Sequence, residues 1–326
     1  MSMIPMPMTP TGLCWICGGN SFRHVWTDKF DLTDHPRFGV YAHAANPDSR
    51  LMKCRSCGFA QPEELPAIPD YFEILYRDQP WLSEEAMALD YERGAKDQVF
   101  QAVLSTIRER LAPDLPRTLL DVGTYIGRFL ELATVSRFDA EGIELNTRAA
   151  DFAERRTGRP IHRLNVQDLA ELGKKFGVVT LIDVLEHIPD PRPVLKSLRR
   201  LLLPGGVLVV KVPHGTMQRL KERIRGLRVR TLEARAAKHI EVMTRFVHVN
   251  HFTPRSLARC LSASGFESVR VVSSPPDFQR EAGGRGLRES LGALGRVASY
   301  RLARIVPGGV DSPLSFHLLA SAVKGE

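Results

Sequence analysis

The chain has 326 residues, of which 43% are hydrophobic and 25% charged, proportions that allow a large packed core plus a smaller unit and exclude wholesale disorder. Its longest apolar run, Leu201 to Val212, is broken by Pro204, Gly205 and Gly206, and falls short of the about 20 residues of a membrane span. The net charge of +8 is local: residues 216–245 carry +6 and residues 280–305 carry +4, so the remainder sums to −2 and the basicity needs local explanations.

The N-terminus, MSMIPMPMTP, lacks the basic start and apolar core of a signal peptide, which predicts a cytoplasmic protein. Next come two CxxC pairs, Cys14–Cys17 and Cys54–Cys57, each followed by glycine (Gly18, Gly58). A CxxC on a tight turn points two thiolates at one ion, and two such knuckles complete the tetrahedral sulfur shell favoured by Zn²⁺. A disulfide reading conflicts with the expected compartment. A redox CxxC would need a surrounding βαβ pattern, which neither pair has. The pattern therefore predicts a structural four-cysteine zinc ribbon over residues 1–70, with no open coordination position for catalysis. Cys260, at an apolar position of a predicted helix, reads as core.

Three prolines between Gln61 and Pro69 predict an extended connector, and the aromatic stretch Tyr71 to Tyr76 is placed to pack the small unit onto the large one. Residues 71–116 form a connector and helix. The helix is predicted from Ser83, its cap, to Leu111, where Pro113 and Pro116 end it. From residue 117 onward, apolar strands alternate with helical patterns. Strands are expected at 119–122, 140–145, 161–164, 178–184, 207–212, 269–272 and 316–323. Helices follow from Phe129, over 147–157, and from Val194 to Leu202, and Thr253 caps another that begins at Pro254. Such alternation predicts a doubly wound α/β sheet with ligands at the carboxyl ends of the strands.

The first strand runs into Asp121-Val122-Gly123-Thr124-Tyr125-Ile126-Gly127, whose glycines let backbone approach a ligand closely. Glu144 ends the second strand about 20 residues later, where a carboxylate can hold ribose hydroxyls. Alone, this also fits a dinucleotide fold. Gly142-Ile143-Glu144, Asn165-Val166-Gln167-Asp168, Asp183-Val184-Leu185-Glu186-His187-Ile188-Pro189-Asp190-Pro191 and Leu203-Pro204-Gly205-Gly206-Val207-Leu208 follow in order. The ordered set resembles the class I S-adenosylmethionine-dependent methyltransferases, in particular bacterial enzymes with an N-terminal zinc ribbon that act on sugars and other small metabolites.

The resemblance covers roughly the whole chain. It implies a Rossmann-like, doubly wound seven-stranded α/β sheet over residues 117–326, with a basic helical insert at 216–245. It implies that Asp121, Gly123 and Gly127 wall the methionine part of the cofactor, that Glu144 binds both ribose hydroxyls, that Asp168 faces the adenine amino group and that Asp183 lies at the cofactor's edge. Tyr125 stands where the family often has glycine, over the cofactor or toward the acceptor. The cofactor's cationic sulfonium and amino group favour nearby carboxylates, whereas a pyrophosphate would be repelled.

Methyl transfer needs an aligned nucleophile and usually a base, most readily histidine. His187 follows the fourth strand. His248 and His251 precede the Thr253 helix, and His214 ends the fifth strand. His187 is either a substrate contact or a loop hydrogen bond, and Glu186 either orients it or caps a helix. The segment resembles the glutamate-histidine-aromatic motif of sugar C-methyltransferases, with His248 as the histidine but Val247 in place of the glutamate, which shifts the expectation from carbon to hydroxyl methylation.

The basic segments carry apolar residues at helical spacing: Met217, Leu220, Ile224 and Leu227 in one, and Leu287, Leu291, Leu294, Leu302 and Ile305 in the other. They read as a lid with a solvated basic face. The alternatives are a phosphate clamp or contact with an anionic membrane, as for a lipid-linked sugar, and nucleic-acid binding. The expected activity is methylation of a hydroxyl on a small polar metabolite, a sugar or nucleotide-sugar, with S-adenosyl-L-methionine as cofactor and structural Zn²⁺. The alternative is an RNA methyltransferase gripping RNA through ribbon and insert. The absence of an Asn/Asp-Pro-Pro-Tyr signature and of a basic stripe on the ribbon speaks against it.

Overall fold

The computed structural model describes residues 8–29, 48–68, 71–77, 82–166, 168–221, 248–277, 287–312 and 314–326. Short strands build the N-terminal unit: β1 (Met8–Pro10) pairs with β5 (Glu64–Pro66), and β2 (Phe22–Lys29), β3 (Asp48–Cys54) and β4 (Ala60–Pro62) form an antiparallel sheet. The two CxxC turns sit at the ends of these strands, closed by Gly18 N–H to Cys14 C=O (2.8 Å) and Gly58 N–H to Cys54 C=O (3.0 Å). This is the zinc-ribbon domain that the cysteine spacing predicts.

The main sheet has seven strands in the order β11-β12-β10-β9-β6-β7-β8. They are β6 (Thr118–Val122), β7 (Asp139–Ile143), β8 (Ile161–His162), β9 (Phe176–Ile182), β10 (Leu202–Pro213), β11 (Phe266–Ser273) and β12 (His317–Lys324). Strands β6 to β10 are parallel, and β12 runs antiparallel to both β10 and β11. Every residue of β9 is buried, as expected of a central parallel strand covered on both faces. The strand order reverses between β6 and β9, so a crevice opens there at the carboxyl edge. This is the Rossmann-like, doubly wound seven-stranded sheet that the resemblance implies.

Helices α1 (Tyr71–Arg77), α2 (Glu84–Arg93), α3 (Asp97–Arg110), α4 (Arg128–Val135), α5 (Thr147–Thr157), α6 (Pro191–Leu201), α7 (Pro254–Ala263) and α8 (Leu287–Ile305) flank the sheet. Ser83 caps α2, its Oγ accepting from Ala86 N–H at 3.1 Å, but the single helix expected to reach Leu111 is two. Gly94 (φ 55°) ends α2, and the break turns Lys96 inward. Strand β9 stops two residues earlier than its apolar run, because Asp183 adopts φ 58° and leaves the ladder. At α7 the expected cap is complete, with Thr253 and Ser256 bonding each other's backbone N–H. In α8 the predicted helix is present, but Leu294 (66%) and Ile305 (78%) are exposed, so those positions of the expected apolar face stay uncovered in this chain. Most of the 216–245 insert, including Ile224 and Leu227, lies outside the described residues.

One hydrophobic core joins the two units, running from Trp15, Leu51 and Phe59 of the ribbon to Leu208 and Val210 of the sheet. The connector aromatic Tyr71 belongs to it, as expected. The tightest join has no counterpart in the sequence pattern. Ala60 of β4 exchanges backbone hydrogen bonds with His251 (2.9 and 3.3 Å), Trp26 meets the His251 ring edge-on at 5.6 Å, and Phe59 packs on Phe252 at 5.2 Å.

The turn after β6 sets a steric demand. Gly123 has φ 75°, and a Cβ there would lie 2.4 Å from Val184 Cγ2, whereas Gly158 has φ 63° with open space around it. Gly158→Ala should therefore cost only the backbone strain of about 1–2 kcal/mol. Gly123→Ala adds overpacking and should cost about 2–5 kcal/mol in urea unfolding.

Candidate active site

A cavity of about 780 Å³ opens at the carboxyl edge of β6, β7 and β9, within the usual size of small-molecule sites. Its lining includes Gly123, Tyr125, Glu144, Asn146, Asn165 and Val166 together with Asp183, Val184, His187 and Ile188. Helix α1 contributes Tyr71, Phe72 and Tyr76 and is fastened over the cavity. Asn146 Nδ2 donates to the Arg77 carbonyl (3.1 Å), Asn165 Nδ2 donates to Glu73 (2.6 Å), and Tyr76 Oη lies 2.7 Å from His187 Nδ1.

Glu144 is held by two backbone donors: Tyr125 N–H to Oε2 and Asn146 N–H to Oε1, both 2.8 Å. Each oxygen keeps a lone pair for a further donor such as a ribose hydroxyl. Burial raises its carboxyl above the usual range against those bonds. Tyr125, at the position often glycine, takes φ 52°, the left-handed conformation for which glycine is normally used. Asp121 lies beneath this turn and outside the cavity lining. Burial lifts its carboxyl to about 7 in spite of the 2.6 Å bond from Thr180. Gly127 caps α4 behind the same turn, and Asp168 is exposed, the cavity being lined instead by its neighbours Asn165 and Val166.

Asp183 accepts from Lys211 Nζ at 2.7 and 2.9 Å and from Lys96 Nζ at 2.8 Å, and Asp277 approaches Lys211 at 3.4 Å. Burial alone would raise the Asp183 carboxyl, but the two ammonium groups hold it well below the carboxylate range. Next along the chain, the 3₁₀ turn Leu185–His187 buries Glu186. The rings of His187 and His248 lie 4.8 Å apart, and Gln218 Nε2 is 2.7 Å from His248 Nδ1. Burial, then the neighbouring His187, brings His248 down to about 3, so its imidazole is neutral at physiological pH.

Of the three histidines expected to act in catalysis, His187 lines the cavity, and the His248 ring lies 4.8 Å from the His187 ring, outside the lining. His251 is not brought there: it is buried against Trp26 of the ribbon, outside the cavity lining, because its backbone pairs with β4. His214 bonds the Val310 carbonyl and Thr216 N–H and is structural. Tyr76, Lys96, Lys211 and Gln218 escaped the sequence reading. Only Lys211 left a signal there, as a lone charge within the apolar run Val207–Val212.

In the ribbon, Cys14 and Cys57 Sγ are 3.6 Å apart, as are Cys17 and Cys54, and all four sulfurs lie within 4.8 Å. A tetrahedral zinc with bonds of about 2.3 Å sets sulfurs about 3.8 Å apart, so the donor set fits that ion. All four candidate ligands are thus brought together.

A family model described as a methyltransferase domain matches residues 96–271, just over half of the chain. The chain belongs to this methyltransferase-domain family. Curated relatives include ubiquinone biosynthesis O-methyltransferases from Haemophilus ducreyi (33% identical over 112 residues, 31% of this chain and 48% of the relative) and Cereibacter sphaeroides (31% over 121 residues, 35% and 49%). The chain thus spans about half the length of these relatives. Among solved structures it is similar to a SAM-dependent methyltransferase from Archaeoglobus fulgidus, at 17% identity and a TM-score of 0.48, covering 74% of this chain and all of the other.

Metal analysis of the purified protein should find one zinc equivalent in the ribbon, lost in Cys14→Ser or Cys57→Ser, together with a fall in thermal stability. Asp121 has its folded-state pKa raised from about 4 to about 7. Its contribution is therefore complete below pH 4 and is lost as the pH rises through 7. Asp121→Asn, which cannot ionise, should gain stability relative to wild type between pH 4 and 8, measured by urea unfolding across that range.

Proposed function

We propose that the chain transfers a methyl group to a hydroxyl of a small polar acceptor, of the sugar or nucleotide-sugar class, in the cavity beneath α1. The observation that carries this reading is that Glu144 and His187 line one cavity, so a carboxylate suited to ribose hydroxyls and an imidazole suited to an acceptor face the same space. The curated relatives, O-methyltransferases by name, support oxygen as the acceptor atom. When bound, S-adenosylmethionine supplies a methyl group on a cationic sulfur, open to in-line displacement.

Glu144 would accept from both ribose hydroxyls, and the turn of Gly123 and Tyr125 would wall the methionine part. Asp121 and Gly127 would support that turn from behind. Asp183 would border the reacting end, and Asn165 and Val166 would border the base, with Asp168 beside them. His187, steadied by Tyr76 and backed by His248, would receive the acceptor hydroxyl and ease its proton away. The zinc of the ribbon would be structural. Residues 1–70, 71–116 and 117–326 would act as ribbon, connector and catalytic unit. Among the described residues no helix is long and apolar enough to cross a membrane.

The test begins with S-adenosylhomocysteine. Calorimetry should show saturable binding, weakened in Glu144→Ala by about 1.5–3 kcal/mol as the ribose loses a charged acceptor. A panel of sugars, nucleotide-sugars and small phenols with labelled cofactor should then yield a product methylated at oxygen. His187→Asn should lower kcat about 10²–10⁴-fold while leaving S-adenosylhomocysteine affinity unchanged. Absence of cofactor binding, or a methyl group found on carbon or nitrogen, would overturn the proposal.

A further inference from the structure

We infer that Glu186, His187 and His248 form a binding site for a divalent cation, separate from the four cysteines, at which an acceptor oxygen is activated. Their donor atoms lie within 4.8 Å of one another, a spread that small side-chain rotations close onto one ion. Two imidazoles and one carboxylate are a recurrent donor set for first-row divalent metals, and three protein ligands leave positions open for acceptor oxygens.

Glu186 is the strongest pointer. The residue is 1% exposed, and neither carboxylate oxygen has a hydrogen-bond partner among the described residues. A buried carboxylate without donors is costly unless a charge compensates it. The nearby lysines are already engaged: Lys96 is bonded to Asp183, and Lys211 to both Asp183 and Asp277. Three carboxylates thus share two ammonium groups, and an ionised Glu186 leaves one negative charge over.

The histidines carry the outer contacts typical of metal ligands. His187 Nδ1 is 2.7 Å from the Tyr76 hydroxyl, and His248 Nδ1 is 2.7 Å from the Gln218 amide. Gln218 Oε1 is buried with no partner among the described residues. Turning that amide over lets Oε1 accept from Nδ1–H, which satisfies the orphaned oxygen and fixes the tautomer whose Nε2 lone pair can ligate. Ligation of His187 through Nε2 leaves its Tyr76 bond intact in the same way.

The inference rests on the proposed O-methylation and supplies its chemistry. An acceptor hydroxyl bound to the ion loses its proton to water. The resulting oxygen anion forms the O–C bond to the methyl group as the C–S bond breaks, and that electron pair stays on sulfur as the thioether of S-adenosylhomocysteine. His187 then eases the proton away through the ion rather than by taking it.

Mn²⁺ titration of the zinc-loaded protein, followed by loss of the aqueous Mn²⁺ resonance signal, tests the site without turnover. Wild type should bind one equivalent. Glu186→Gln, which keeps the side-chain shape, and His248→Ala should each abolish binding. Gln218→Ala should weaken it about 10–100-fold. No Mn²⁺ binding at millimolar concentration, or equal binding by wild type, Glu186→Gln and His248→Ala, would overturn the site. S-adenosylhomocysteine affinity, measured on the same samples, separates this outcome from failure of the methyltransfer proposal: Mn²⁺ bound by these residues upholds the site whatever the cofactor result.

Discussion

The ion cluster around Asp183 holds the site together. This carboxylate leaves the end of β9 in a left-handed conformation and is clasped by Lys211 from β10 and Lys96 from the α2–α3 break. Lys211 is 1% exposed. A buried pair of this kind contributes little net stability, but leaving one partner uncompensated typically costs about 3–5 kcal/mol. The cluster therefore acts as a constraint on geometry. It fixes the exit of β9, and with it the turn that carries Glu186 and His187, relative to the neighbouring strand and the helical break.

The same turn is gripped from the other side. Val249 N–H and Asn250 N–H both donate to the Glu186 carbonyl at 3.0 Å, and Asn250 Nδ2 bridges the Leu185 and Ile188 carbonyls at 2.8 and 2.7 Å. One residue further on, His251 pairs with β4 of the ribbon. The segment 248–252 is thus a strap between the four-cysteine unit and the turn that carries His187. The four cysteines lie beside the strands on which that strap is seated, which gives the ribbon a structural bearing on a cavity whose lining includes none of them.

The surroundings of Glu144 are arranged differently. Backbone N–H groups of Tyr125 and Asn146 hold Glu144, and the side chains of Asn146 and Asn165 tie α1 beside it. Tyr76, in the last turn of α1, meets His187. One short aromatic helix therefore contacts Asn146, two residues from Glu144, and His187, so the placement of that carboxylate and that imidazole shares one element.

The alternation of strands and helices, the set of four cysteines, and the turns bearing Gly123, Glu144 and His187 are legible in the sequence. Each of these is written in contacts between near neighbours: a CxxC turn, a glycine where φ must be positive, a buried strand that must be apolar. Which side chains meet is settled only by packing. Lys96, Lys211 and Asp183 come from three separate elements, Tyr76 and His187 are 111 positions apart, and Gln218 reaches His248 across 30. Packing also turned His251 to the ribbon, although it stands only three residues from His248, which meets His187, because strand pairing with the ribbon claimed its backbone. Local pattern records what a residue needs from its neighbours. A hydrogen bond or ion pair between distant elements leaves no periodicity, so it becomes visible only when the fold has set those elements side by side.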